Sequence, residues 1–231
     1  MKVRFLPSKG VLIGKALIIA DTHIGFEESM IKEGAYIPKL LREMIASIVD
    51  LIKTTNAKTL VINGDLKHSF TPERREFIEL STFFESISSY LEEIVLVRGN
   101  HDTGISWIKR FEVEIVDRIT VHGWDVFHGH LKLDYNKAII GHEHPSIRLR
   151  DEVGATLKVP IFLKAKDLIV LPAFSPWAYG NDLTINEPIS PVLKERNLDN
   201  FEILIPVDDE ILNFGRFRDL IEAIRKLSGN P

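Results

Sequence analysis

Hydrophobic and polar positions alternate in blocks along the first half of the chain. Continuous apolar runs occur within residues 15–21, 58–65 and 93–100, and their length and β-branched content predict buried strands. Between these runs, apolar residues recur every three or four positions over about 38–53 and 72–90, a spacing typical of amphipathic helices. This succession of strand and helix predicts a parallel sheet covered by helices.

The second half changes to strands joined by short connections. Apolar or alternating stretches predict strands at 112–121, 124–129, 137–142, 146–151 and 159–174. Residues 186–200 are expected to form a loop, followed by a strand at 201–207 and an amphipathic helix at 214–227. A helical half and a β-rich half in one chain of this size predict two sheets packed face to face, with helices outside.

Composition narrows the class of protein. A length of 231 residues fits one α/β domain, so we expect residues 1–231 to fold as a single domain. The chain has no Cys, which excludes thiolate zinc sites, disulfides and a Cys nucleophile. No signal peptide or apolar run of ~18 residues is present, so a cytoplasmic protein without membrane partners is expected. The net charge of −4 disfavours a protein that wraps duplex DNA.

Polar residues follow five of the apolar strands, directly where each strand ends. These segments are Asp21-Thr22-His23, Gly64-Asp65, Gly99-Asn100-His101-Asp102, His128-Gly129-His130 and Gly141-His142-Glu143-His144. Because ligands of open α/β sheets bind beyond the carboxyl ends of the strands, we expect these segments to converge on one site. Carboxylates and imidazoles crowded into a partly dry pocket are unfavourable unless a cation is bound there. The pattern therefore predicts a metal site.

The number of candidate ligands indicates more than one ion. Seven side chains qualify, namely Asp21, His23, Asp65, Asn100, His128, His142 and His144. Seven ligands are too many for one ion that also holds substrate, so we expect two ions ~3.5–4 Å apart, with Asp65 as the bridging carboxylate. Imidazole, carboxylate and amide ligands without sulfur suit Mn²⁺ first, and also Fe, Zn²⁺ or Ni²⁺, better than Ca²⁺ or Mg²⁺.

The motifs DTH, GD, GNHD, HGH and GHEH occur in this order over residues 21–144. In this order they resemble the calcineurin-like metallophosphoesterase superfamily. The segments GFEE and LPAFSPWAYG resemble the small ICC-like phosphoesterases, a group that includes enzymes encoded beside DNA ligases. The resemblance implies a four-layer αββα sandwich of two mixed β-sheets flanked by helices. It also implies two divalent metal ions and hydrolysis of a phosphoester by metal-activated water.

The resemblance also implies a role for each site residue. One ion would be held by Asp21, His23, Asp65 and His144, and the other by Asp65, Asn100, His128 and His142. His101, held by Asp102, matches the histidine that contacts the phosphate and protonates the leaving group. His68 and His130 are further candidates for substrate contact, although His68 is equally expected to cap a helix. For His130, a structural role beside His128 is favoured.

Together these expectations favour a dinuclear metal-dependent phosphoesterase that prefers phosphodiesters to monoesters. Its substrate would be a cyclic nucleotide, a nucleotide-like metabolite or a nucleic-acid end. Two alternatives stay open: a phosphomonoesterase, protein phosphatases included, and a catalytically silent metal-binding interaction module of the same fold. The presence of His101 and of every ligand position disfavours the silent module. The oligomeric state is left open, a homodimer included.

Overall fold

The computed structural model describes residues 1–71, 73–150, 155–178 and 180–227. Within these ranges, six strands form a first sheet in the spatial order β1 to β6. They are β1 (Arg4–Phe5), β2 (Val11–Ile13), β3 (Ala16–Ile19), β4 (Thr59–Asn63), β5 (Glu93–Val97) and β6 (Val113–Val116). Strands β3 to β6 pair in parallel, whereas β1 and β2 add antiparallel strands at one edge.

Two further sheets follow along the described chain. Their strands are β7 (Ile119–Val121), β8 (Trp124–Val126), β9 (Ala138–Ile140), β10 (Pro145–Arg150), β11 (Thr156–Pro160), β12 (Phe162–Lys164), β13 (Leu168–Val170), β14 (Asn181–Asp182), β15 (Glu202–Val207) and β16 (Glu210–Arg216). Seven of them form a second mixed sheet in the order β16-β15-β12-β13-β9-β8-β7. The small third sheet, β11-β10-β14, was not predicted from the sequence.

The described helices are α1 (Phe26–Lys32), α2 (Leu41–Thr55), α3 (Arg74–Ile87), α4 (Pro191–Lys194) and α5 (Phe217–Leu227). Short 3-10 turns occupy Ser88–Tyr90, Ser106–Phe111 and Leu198–Asn200. Both central helices were predicted, although position 72 lies outside the described residues. Three expectations need correction. The continuous strand at 159–174 is divided among β11, β12 and β13, the loop at 186–200 contains α4, and α5 begins after β16 rather than at 214.

Alternating side chains of β3 divide between two buried layers. Ile18 belongs to a cluster that includes Ile139 of the second sheet, so this face of β3 packs toward that sheet, and the cluster extends as far as α5. Leu17 and Ile19, which point to the opposite face, belong to a cluster that includes Ile48 of α2 and residues of α3. The period of two that defines a strand therefore places one sheet in contact with both neighbouring layers.

Helices cover the outer faces of both sheets. α2 and α3 cover the first sheet, while α5 contacts β16 and contributes Phe217 and Leu220 to the buried cluster of the second. The predicted four-layer αββα sandwich of two mixed β-sheets flanked by helices is confirmed. Among the residues described, no helix is long and apolar enough to cross a membrane.

Replacing Phe162 with alanine tests the layer between the sheets. The ring is fully buried and meets Phe5 edge to face, with 5.2 Å between centroids. We expect Phe162→Ala to lower the free energy of unfolding by ~3–5 kcal/mol, because burial is lost and a cavity remains. Urea denaturation measures the change. Phe214→Ala is the matched control, since Phe214 is 42% exposed on β16, and equal losses in both variants would contradict this packing.

Candidate metal centre

Backbone hydrogen bonds beyond the strand ends bring the predicted segments together. After β3, the N–H of Asp21 donates to the carbonyl oxygen of Gly64, which follows β4, at 3.1 Å. In the second sheet, the N–H of Gly141 after β9 donates to the carbonyl oxygen of His128 after β8 at 2.9 Å. The strand ends of both sheets thus meet at one edge of the sandwich, as expected for an α/β site.

Five of the predicted ligands lie in the left-handed backbone region, which residues other than glycine rarely adopt. Their φ angles are 57° for Asp21, 45° for His23, 48° for Asp65, 64° for His142 and 45° for His144. Such conformations cost ~1–3 kcal/mol each and cluster at functional sites. The strained backbone conformations at the strand exits therefore direct these side chains toward one point.

Asp21, His23 and His144 form a first group, with ligand atoms within 4.8 Å of one another. His144 Nε2 lies 3.2 Å from Asp21 Oδ1 and 3.3 Å from His23 Nε2. The N–H of His142 donates to the Asp21 carboxylate at 3.1 Å and holds it in place. Two imidazole nitrogens and one carboxylate oxygen that converge in this way are the ligand types of a divalent transition metal.

Asp65, His128 and His142 form a second group, again with ligand atoms within 4.8 Å of one another. Asp65 Oδ2 lies 3.3 Å from His128 Nε2 and 3.9 Å from His23 Nε2 of the first group. The other oxygen, Oδ1, accepts the N–H of His101 at 3.0 Å. One oxygen of Asp65 therefore faces both groups, which is the position that a bridging carboxylate requires.

Asn100 supplies a test of whether these residues fit a metal. Its Oδ1 is buried and has no hydrogen-bond partner among the described residues. A buried amide oxygen left without a partner costs ~1–3 kcal/mol, whereas a cation would satisfy it. Together with the carboxylates and imidazoles of the two groups, this oxygen completes a donor set that fits divalent metal ions.

Burial and the buried carboxylates shift the pKa values of the site histidines in opposite directions. Burial, with a contribution from His144, lowers the pKa of His23 to about 3, and burial together with His128 lowers the pKa of His142 to about 4. Both imidazoles are thus neutral at pH 7, as metal ligands must be. Burial alone would lower the pKa of His128, but the neighbouring Asp65 and Asp21 outweigh it and raise that pKa to about 9.

Comparison with known proteins identifies the family. Residues 14–200 match the family model for calcineurin-like phosphoesterases. The chain belongs to this family. The crystal structure of Pseudomonas putida nuclease MPE matches with a TM-score of 0.67 and 20% identity, over 92% of this chain and 94% of that chain. This match establishes the fold.

A second solved structure, the protein of unknown function AQ665 from Aquifex aeolicus, has a TM-score of 0.39 and 18% identity over 55% of this chain and 77% of its own. No curated protein matches the chain.

His101 lies beside Asp65 in this calcineurin-like phosphoesterase. Its Nε2 is 3.9 Å from Asp65 Oδ2, and its Nδ1 hydrogen-bonds to the backbone carbonyl oxygen of His68. Because a carbonyl can only accept, the Nδ1 atom carries the hydrogen, and Nε2 is left to face the site. The partner that orients the ring is therefore the backbone of the loop after β4.

The expectation that Asp102 holds the His101 ring is wrong. One oxygen of the Asp102 carboxylate accepts the N–H of Gly99 at 2.8 Å, and the other accepts the N–H of Leu66 at 3.0 Å. The turn after β5 directs the side chain back toward the backbone rather than along the chain to its neighbour. Asp102 thus ties the loop after β4 to the loop after β5, and burial raises its pKa to about 6.

His68 lies beside His23 of the first group, and His130 lies beside His128 and His142 of the second. His68 stacks on His101, with 5.6 Å between ring centroids, and both rings line a pocket of about 380 Å³. His130 lies 5.2 Å from the ring of His128 and lines a second pocket of about 280 Å³. Burial lowers the pKa of both histidines. Their positions allow substrate contact, and that role stays a prediction.

Glu143 is a buried site residue that sequence reasoning passed over. Its carboxylate accepts the N–H of Ser190 at 2.8 Å, the N–H of Ile189 at 2.9 Å and the side-chain amide of Asn181 at 2.7 Å. These bonds fasten the segment before α4 behind the strand exit that carries His142. In the sequence, the only sign of this role was that a charged residue, Glu143, lies between the predicted ligands His142 and His144.

The Asp102→Asn variant tests whether the role of Asp102 is structural or catalytic. We expect this change to lower the free energy of unfolding by ~1–3 kcal/mol, because the amide nitrogen cannot accept one of the backbone N–H groups. Thermal or urea denaturation of the metal-free protein measures the loss. Asp117→Asn is the matched control, with a side chain 83% exposed beside Arg98. Unchanged stability of Asp102→Asn with loss of turnover would instead support a role through His101.

Proposed function

We propose that this calcineurin-like phosphoesterase holds two divalent metal ions and hydrolyses phosphodiester bonds. The observation that carries the proposal is the pairing of two His and Asp groups around a single oxygen, Asp65 Oδ2. The buried, unpartnered amide oxygen of Asn100 adds to it, since the next residue, His101, donates its backbone N–H to Asp65. Two ions close together are the arrangement that phosphatases and nucleases use for displacement at phosphorus.

The two ions would have separate ligands and one shared ligand. Asp21, His23 and His144 would hold the first ion, and Asn100, His128 and His142 the second, with Asp65 between them. The absence of sulfur from this set favours Mn²⁺, then Fe, Zn²⁺ or Ni²⁺. When bound, such ions neutralise charge on the phosphoryl group and lower the pKa of water toward neutrality.

His101 would supply the proton for the leaving group. Its Nδ1 hydrogen is occupied by the carbonyl oxygen of His68, so the proton available for transfer is the one on Nε2. Asp65 Oδ2 lies 3.9 Å from this Nε2. A positioned general acid contributes ~10²–10⁴-fold to the rate. This contribution should be largest for poor leaving groups such as alkoxides, and small for nitrophenolate.

Space on both sides of the groups supports a diester substrate. A pocket of about 380 Å³ opens beside His101, and another of about 280 Å³ opens beside His130. A phosphodiester has two organic groups and needs two such spaces, whereas a monoester needs one. The nuclease with the same fold acts on nucleic acid by its name, and the net charge of −4 favours a short substrate over long duplex DNA.

We therefore propose a nucleotide-like diester or a nucleic-acid end as the substrate, with the chain acting as one domain in the cytoplasm. A phosphomonoesterase, a protein phosphatase and a silent binding module are the alternatives that an activity assay distinguishes.

Hydrolysis of bis(p-nitrophenyl) phosphate and p-nitrophenyl phosphate tests the proposal. The protein is stripped of metal and assayed with and without added Mn²⁺, with Asp65→Ala as the inactive control and His122→Ala as a histidine control outside the site. We expect the diester to react faster, only with metal, and the loss to be confined to Asp65→Ala. Reaction of the monoester alone would favour the phosphatase. Bound metal without turnover of either ester would favour the silent module.

A further inference from the structure

An exposed aromatic ring stands beside the general-acid position. Phe70 is 57% exposed, yet its ring stacks on His101 with 3.9 Å between centroids and 29° between planes. It also lines the pocket of about 380 Å³, a size within the ~300–1,000 Å³ range of small-molecule sites. The exposed ring is therefore available to contact a molecule bound in this pocket.

Hydrogen bonds fix the backbone at His68, Ser69 and Phe70. The N–H of His68 donates to the carbonyl oxygen of Ile24 at 3.0 Å, and the N–H of Ser69 donates to Glu76 at 3.2 Å. The carbonyl oxygen of Phe70 itself accepts the hydroxyl of Thr103. A ring whose backbone is fixed in this way loses little entropy on binding, as a stacking surface requires.

The charges around the pocket indicate a neutral occupant. The described lining residues include three glutamates and no lysine or arginine, so a second phosphate would lie beside three carboxylates without a lysine or arginine partner in the lining. All three glutamates already have cationic partners outside the lining: Arg75 lies 2.6 Å from Glu28, Lys32 lies 2.6 Å from Glu73, and Lys67 lies 3.8 Å from Glu76. A cationic occupant would therefore gain little from them.

The inference from these features rests on the proposed function and extends it to the leaving group. We propose that Phe70 is a specificity-determining residue that stacks on the base of a neutral nucleoside, the group that departs on the His101 side. Water adds to phosphorus and releases one proton to solvent, the phosphorus–oxygen ester bond breaks, and the departing oxygen takes the Nε2 proton of His101, which solvent then replaces. The products are a phosphomonoester and a free nucleoside, without oxidation or reduction. The substrate is then a dinucleotide or the terminal linkage of a strand.

The experiment compares thymidylyl-thymidine with two analogues in which one base is replaced by hydrogen, on the 3′ or the 5′ nucleoside. Chromatography of the products shows which nucleoside departs, and kcat/KM is measured with Mn²⁺ for each substrate. Wild-type protein should prefer the substrate with a base on the departing side by roughly 5- to 100-fold, the range that base–aromatic stacking provides. Removing the other base should have a smaller effect.

Variants of Phe70 test whether its ring causes this preference. Phe70→Ala should abolish the preference, Phe70→Trp should keep it, and Phe214→Ala, which removes an exposed phenylalanine of β16, should leave it unchanged. Circular dichroism establishes that the variants fold. If Phe70 only positions His101, Phe70→Ala will lower kcat/KM equally for both substrates, and the preserved ratio would overturn the proposal. Faster turnover of glycerophosphocholine, with the same sensitivity to Phe70, would overturn it in favour of a cationic leaving group.

Bis(p-nitrophenyl) phosphate distinguishes failure of this inference from failure of the proposed function. If wild-type protein hydrolyses that diester with Mn²⁺ but ignores the departing base, the stacking role is overturned and the phosphodiesterase stands. If it hydrolyses no diester, both are overturned.

Discussion

The central constraint on this structure is that two carboxylates, Asp21 and Asp65, lie almost fully buried among imidazoles. Buried carboxylates are costly unless hydrogen bonds or positive charge compensate them. Backbone N–H groups of His142 and His101 supply part of that compensation, one to each carboxylate. Divalent cations would supply the rest, and the same cations would also satisfy the amide oxygen of Asn100. Bound cations would therefore both stabilise the fold and supply the chemistry at this edge of the sandwich.

The close approach of the strand ends explains why glycine occurs at two positions that take no part in the chemistry. A Cβ atom added at Gly64 would overlap the ring of His128, and one added at Gly99 would overlap Asp65. Only glycine leaves room at these two exits for side chains that arrive from other strands. The packing of the two sheets therefore also sets the positions of the ligands. Large apolar side chains in the layer between the sheets maintain this packing.

The convergence of the ligands was predictable because a simple rule governs it. Apolar strands that end in polar residues meet at the carboxyl edge of a sheet, and Asp21, Asp65 and His142 follow this rule. The direction of a side chain within a turn has no such rule. The resemblance to the family implied that Asp102 holds His101, but the local turn aims the Asp102 carboxylate at Gly99 and Leu66.

Elements that their own pattern of hydrophobic positions does not define were also missed. β16 is mostly exposed and lacks a clear alternating pattern, since its pairing with β15 rather than its own burial defines it. The small third sheet depends on β14 pairing with β10, far apart along the chain. The role of Phe70 was invisible for a similar reason, because its contact with His101 joins two different loops. Sequence patterns report local periodicity and strand ends, but not such long-range contacts.

Anomalous diffraction at the manganese edge, from crystals of the protein prepared with Mn²⁺, tests the two-metal centre most directly. We expect two peaks about 3.5–4 Å apart, one beside Asp21 and His144, the other beside Asn100 and His128, with Asp65 contacting both. A single peak in this region, or two peaks that do not share Asp65, would contradict the dinuclear site.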